Sequence, residues 1–322
     1  MRPTLLALAL LALALLVLLA APAVAADLHV LVGADADGPT ARVALGDLCV
    51  GDDRFDVGAA WSEGAGALAA GWRRTLAAGP VGNLLAEGAV GVAGLDGAGL
   101  RADVDVGLRG VAGPVALGVR LAIGTRPPFG AAVWDVAPDP APVADPRKRT
   151  GADPASPFTA LAATLTWRID RRRTWTAEPT GAWTAAGWTG AVATTLRWAG
   201  VGDDLDVAVA VDAAQGAAAR HLAVGVTLHH VPRRAPASSA TAWWGTGSAG
   251  TGAGAEVDWT VRRGPAEVAL AAGWGPPWSD RDRAYASLRA SAPATRGRWS
   301  VAVAWLGDAG RVAAGWSLPL AR

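Results

Sequence analysis

The chain has 322 residues, of which 52% are hydrophobic and only 18% charged, and its 29 basic and 28 acidic residues leave a net charge of +1. That balance excludes a disordered polar chain and gives no electrostatic footprint for nucleic acid. With Cys49 as the one cysteine, no disulfide framework and no cysteine-rich zinc site can form.

The N-terminus reads as a targeting segment. Arg2 supplies a positive start, residues 5–21 form an unbroken apolar run rich in Leu and Ala, Pro22 ends it, and Ala23-Val24-Ala25 fits a small-x-small cleavage pattern. A secretory signal peptide is therefore predicted over residues 1–25, with the folded protein over 26–322. Strands are expected to begin almost at once, near His29 or Thr40, leaving no room for an N-terminal plug.

Beyond Ala26 no apolar stretch is long enough for a membrane-spanning helix. Apolar residues instead recur at period two, the signature of half-buried strands. Arg101, Asp103, Asp105 and Arg109 alternate with Ala102, Val104, Val106 and Leu108. Val115, Leu117, Val119, Leu121 and Ile123 alternate with small residues and Arg120. Leu161, Leu165 and Trp167 alternate with Ala162, Thr164, Thr166 and Arg168. Val207, Val209 and Val211 alternate with Asp204, Asp206 and Asp212; Val257, Trp259 and Val261 alternate with Glu256, Asp258 and Arg262. Trp299, Val301, Val303 and Trp305 follow Arg298 in the same way. Turn signals such as Gly51-Asp52-Asp53, Gly113-Pro114, Gly202-Asp203-Asp204 and Gly264-Pro265 separate the runs. The count predicts about 16 to 18 strands of roughly 9 to 12 residues, the length of a tilted strand crossing a bilayer.

Two stretches break the rhythm. Residues 136–157 carry six prolines and Arg147-Lys148-Arg149, and are predicted to be a long loop. Residues 231–239, with Pro232 and Pro236, are predicted to be a shorter one.

Trp61, Trp167, Trp198, Trp274, Trp299, Trp305 and Trp316 lie on the apolar face or near run ends, where a ring can sit at a lipid boundary with its N–H among headgroups. The other face is mostly small or charged. The expected fold is all-β, a single antiparallel transmembrane β-barrel. Signal peptide, alternating strands and aromatic positions together resemble bacterial outer-membrane β-barrel proteins. The run Val312, Ala314, Trp316, Leu318 and Leu320 is similar to the C-terminal strand of that class, although it ends in Leu320-Ala321-Arg322 where that class has an aromatic residue. The resemblance is one of architecture and points to no single family; it implies an outer-membrane location.

Candidate chemistry is sparse. His221 and His229 share a face but lie about 27 Å apart along a strand, too far to share a metal. Gly245-Thr246-Gly247-Ser248-Ala249-Gly250 has dinucleotide-fingerprint spacing, but Thr251 onward reads as strand where the motif needs a helix. No cofactor and no metal are expected, nor is catalysis. The predicted pore-lining set is Arg101, Asp103, Asp105, Arg109, Arg120, Arg168, Arg197, Asp204, Asp206, Glu256, Asp258 and Arg262. Arg147-Lys148-Arg149 and Arg171-Arg172-Arg173 are either solvated turns or contacts to anionic lipid headgroups. The expected function is a passive, weakly selective channel or a structural barrel. An outer-membrane enzyme and a soluble exported β-sandwich that binds a partner are the rivals.

Overall fold

The computed structural model describes residues 27–319, apart from 36–37, 63–64, 80–81, 96–98, 126–156, 203, 218–219, 231, 233–235, 249, 276–283 and 307–308. Within the strands, the side chains of Trp61, Arg101, Asp103, Asp105 and Arg311 also lie outside the described residues. So do the predicted signal peptide and residues 136–156 of the predicted long loop.

Eighteen strands follow in chain order. They are β1 (Asp27–Asp35), β2 (Gly38–Val50), β3 (Asp53–Ser62), β4 (Ala65–Gly79), β5 (Gly82–Leu95) and β6 (Gly99–Ala112). Next come β7 (Val115–Thr125), β8 (Pro157–Arg168), β9 (Arg173–Thr184), β10 (Gly187–Trp198), β11 (Leu205–Gly216) and β12 (Arg220–His230). The last six are β13 (Ala237–Gly247), β14 (Gly250–Arg263), β15 (Ala266–Trp274), β16 (Ala284–Pro293), β17 (Arg298–Leu306) and β18 (Ala309–Pro319). Every neighbouring pair is antiparallel. β1 pairs with β2 on one side and with β18 on the other, so Val30 stands between Val43 and Trp316 and the sheet closes on itself.

The first strand begins at Asp27 and includes His29, one of the two expected starts. The strand runs differ from the sequence reading in two places. Pro157, expected in the loop, opens β8 opposite Thr125; a first residue can be proline because the ladder asks no N–H of it. Residues 237–239, also expected in a loop, start β13, where Ser239 stands opposite His229 and Asp258. Gly113 (φ +56°) and Gly264 (φ +59°) supply the left-handed residue that each tight Gly-Pro turn requires.

The two faces are chemically distinct. Val104, Val106, Leu117, Val119, Val224, Val226, Val301 and Val303 are exposed on the convex face. On the concave face side chains converge, and small residues such as Ala160, Ala182, Ala193, Ala208, Ala223 and Ala302 are buried between their neighbours. The sheet thus carries its apolar side chains outward and its polar and small ones inward, the reverse of a soluble barrel.

Tryptophan marks both edges of that outer face. Toward the rim where β1 begins and β18 ends stand Trp167, Trp175, Trp198, Trp259, Trp299 and Trp316; toward the opposite rim stand Trp183, Trp188, Trp244, Trp274 and Trp305. We call these the near and far rims. On β10, Trp188 and Trp198 are ten residues apart, which at a strand tilt of about 40° is ~25 Å along the barrel axis, the height of the apolar band of a membrane barrel.

The inner wall as candidate functional site

Cross-strand register builds the inner wall row by row. On β11 to β14, Asp206, His229, Ser239 and Asp258 stand side by side. Arg197 of β10 is ion-paired with Asp206, which also accepts the Gly200 amide at 2.8 Å. The Ser239 hydroxyl donates to Asp258 at 2.9 Å. One row further in, the Thr227 and Thr241 hydroxyls share a hydrogen bond at 3.0 Å, Thr241 neighbours Glu256, and the Tyr285 hydroxyl donates to Glu256. Deeper still, His221 Nε2 lies 3.5 Å from Asp212 Oδ2, with His221 nearly buried. Among the described residues no hydrogen-bond partner reaches that nitrogen or Asp212 Oδ1.

A second arc runs from β3 to β9. Arg73 Nη2 meets Asp56 Oδ2 at 3.1 Å. Glu87, Arg109, Arg120, Thr164, Glu178 and Thr180 line a recess of about 310 Å³ in the wall. The recess sits where the ladder lapses. β8 pairs with β9 from Phe158–Thr184 to Ala162–Thr180 and resumes at Leu165–Ala177. Pro179, which has no N–H to give, lies in the gap.

The predicted pore-lining residues are distributed as follows. Arg109, Arg120, Arg168, Arg197, Asp206, Glu256, Asp258 and Arg262 share the inward register, Arg262 paired with Glu267 at 2.7 Å. Arg101, Asp103 and Asp105 occupy β6, but their side chains lie outside the described residues. Asp204 belongs to no strand; it sits in the turn before β11. The arrangement adds residues that period-two reading did not single out: Arg54, Asp56, Arg73, Glu87, Glu178, Tyr285 and Trp243, which packs over Gly225. Among the described residues no group of three metal-ligating side chains comes together. No helix there is long and apolar enough to cross a membrane, so any crossing is by strands.

No known protein family matches the chain by sequence, and no curated protein does. Solved structures do match. Three engineered variants of the Rhodopseudomonas blastica porin superpose with TM-scores of 0.51, 0.52 and 0.51 at 12%, 11% and 11% identity, each over 92% of this chain and 99% of the porin. The chain has the fold of a bacterial porin. At this identity the likeness is one of backbone architecture; the wall chemistry of this porin-fold barrel is its own and must be read from its own residues. That wall carries acidic side chains concentrated on β11 to β14 and arginines concentrated on β3 to β7, joined by hydroxyls and separated by Ala and Gly.

Proposed function

We propose that this barrel sits in a bacterial outer membrane and serves as a passive channel for small water-soluble solutes, with weak ion selectivity. The observation that carries the reading is the inversion of the two faces. An aliphatic band between tryptophan belts surrounds an inner wall of short, polar and charged side chains. A closed ring of 18 strands at the usual strand spacing and tilt is roughly 35 Å across its backbone, wide enough for an aqueous channel. Ala, Gly, Thr and Ser on the inner wall cannot fill that width. Arginine and carboxylate are both present on the wall, so neither ion sign meets a ring of uniform charge. The signal peptide predicted over residues 1–25 would export the chain, consistent with this placement.

Planar-bilayer recording of the pure, folded protein tests the proposal. Steps of large conductance with a permeability ratio near unity between potassium and chloride are expected. Silent bilayers, from protein whose heat-dependent gel mobility proves it folded, would remove the channel reading and leave a structural or enzymatic barrel.

A further inference from the structure

The near rim carries an arrangement that conduction does not use. Besides the exposed arginines of the inward register and the ion-paired Arg74 and Arg173, four exposed arginines stand there: Arg171 and Arg172 in the turn between β8 and β9, Arg263 at the end of β14, and Arg296 in the turn between β16 and β17. None has a carboxylate partner among the described residues. Their neighbour Arg173 is different, because Asp170 holds it at 2.7 Å. Asp170 also accepts the amides of Arg172 and Arg173, at 2.8 and 2.7 Å, which orders the turn that presents Arg171 and Arg172.

Each of these arginines lies closer to the rim than a tryptophan. Trp167 and Trp175 face each other across β8 and β9 beneath the Arg171–Arg172 turn. Trp259 shares the outer face of β14 with Arg263, four residues before it. Trp316 donates its indole N–H to the Arg296 carbonyl at 3.1 Å. On the far rim, among the described residues, the outer face offers one arginine, Arg220, beside the five tryptophans named above.

A tryptophan belt places the backbone at headgroup depth. A guanidinium one step further out then lies at phosphate level, where it forms forked, charge-assisted hydrogen bonds to phosphate oxygens. We infer that Arg171, Arg172, Arg263 and Arg296 form a binding rim for the phosphates of anionic phospholipid in the leaflet at this end of the barrel. The inference rests on the membrane placement given above but not on conduction.

The test uses the full-length protein in phosphatidylcholine vesicles carrying spin-labelled phosphatidylglycerol or spin-labelled phosphatidylcholine. The readout is the association constant of the anionic lipid relative to the neutral one. A preference for phosphatidylglycerol is expected, falling steeply as salt is raised because exposed charges are screened. Each of Arg171→Gln, Arg172→Gln, Arg263→Gln and Arg296→Gln should reduce occupancy at its own site up to about fivefold. The combined variant should lose most of the preference, whereas Arg220→Gln should keep it. If the combined variant does not fold, Arg263→Gln and Arg296→Gln measured singly decide. Equal association of the two lipids, or a preference that survives the four substitutions, overturns the inference. So does a preference abolished by low-millimolar inorganic phosphate at matched ionic strength, which would make free phosphate the ligand. A protein that never inserts into vesicles overturns the membrane placement as well, so the two failures are distinguishable.

Discussion

The hydroxyl of Tyr285 reaches across Gly273 to donate to Glu256, two strands away on the inner wall. The reach exists because Gly273 has no side chain: a Cβ there would lie 3.1 Å from the Tyr285 hydroxyl and only 2.4 Å from the Ala255 carbonyl oxygen. A buried tyrosine and a lumen carboxylate are thereby tied together, and the β14–β16 segment gains a rigid inner surface.

Gly273→Ala should therefore cost about 1–3 kcal/mol, because the methyl collides with backbone that cannot yield. Tyr285→Phe, which keeps the ring and loses the bond, should cost about 1 kcal/mol. Denaturant midpoints of the folded barrel in detergent check both. An alanine variant as stable as the parent would mean that the β14–β15 register relaxes freely.

The outer face between the belts is the second target. Val303 lies between Trp299 and Trp305 on the exposed convex side of β17, whereas Ser300 of the same strand faces inward beside Ser291 and Gly315. Val303→Arg should lower stability in bilayers by roughly 2–4 kcal/mol, and Ser300→Arg by far less. Equal costs would reverse the assignment of the two faces.

Charge on the inner wall sets the third expectation. Glu256→Gln with Asp258→Asn removes two carboxylates from the β11–β14 arc, and Arg109→Gln with Arg120→Gln removes two cations beside the recess. Reversal potentials under a salt gradient should shift toward anions in the first pair and toward cations in the second. Shifts of the same sign would show that these groups do not border the conducting path.

The turn at Asp170 predicts a pH dependence. Hydrogen bonds from the Arg172 amide, then from the Arg173 side chain and amide, hold the Asp170 carboxyl below its ordinary value. A carboxyl depressed on folding stabilises above its unfolded pKa, and that contribution disappears as pH falls through the lower, folded one. The difference in turn protection between the parent and Asp170→Asn should be constant near neutrality and shrink only below the usual carboxylate range. Amide hydrogen exchange at Arg172 and Arg173, compared between the two proteins at each pH, measures it. A difference that does not change down to strong acid would mean the carboxylate charge plays no part.

Much of this architecture is legible in the chain because one face must be apolar and the other polar at every second residue. Val301 and Val303 against Ser300 and Ala302 carry that information locally. Pairs brought together by closure are not legible in this way. Nothing in the period of β11 or β12 places His221 beside Asp212, since the relationship depends on register. Trp243 and Trp244 are adjacent tryptophans in the same strand, yet one packs over Gly225 on the inner wall and the other is 63% exposed outside. A count of tryptophans cannot assign that split without the strand's phase. Pro179 argues against a central strand by composition, and only the lapse in the β8–β9 ladder explains how β9 tolerates it.

The seam between β1 and β18 has a kinetic meaning. Asp27 meets Pro319 across 292 residues of chain, whereas every other seam is local, and bringing such distant partners together costs only about 2 kcal/mol more than closing a ~20-residue hairpin. The chemistry of the last zipper is ordinary, but its timing is not. Until the final strand arrives, two open edges present unpaired amides and carbonyls, each costing several kcal/mol if it meets hydrocarbon. A half-sealed cylinder is therefore a species the bilayer core rejects. Insertion and circularisation must occur together, or a helper must shield both lips until they join.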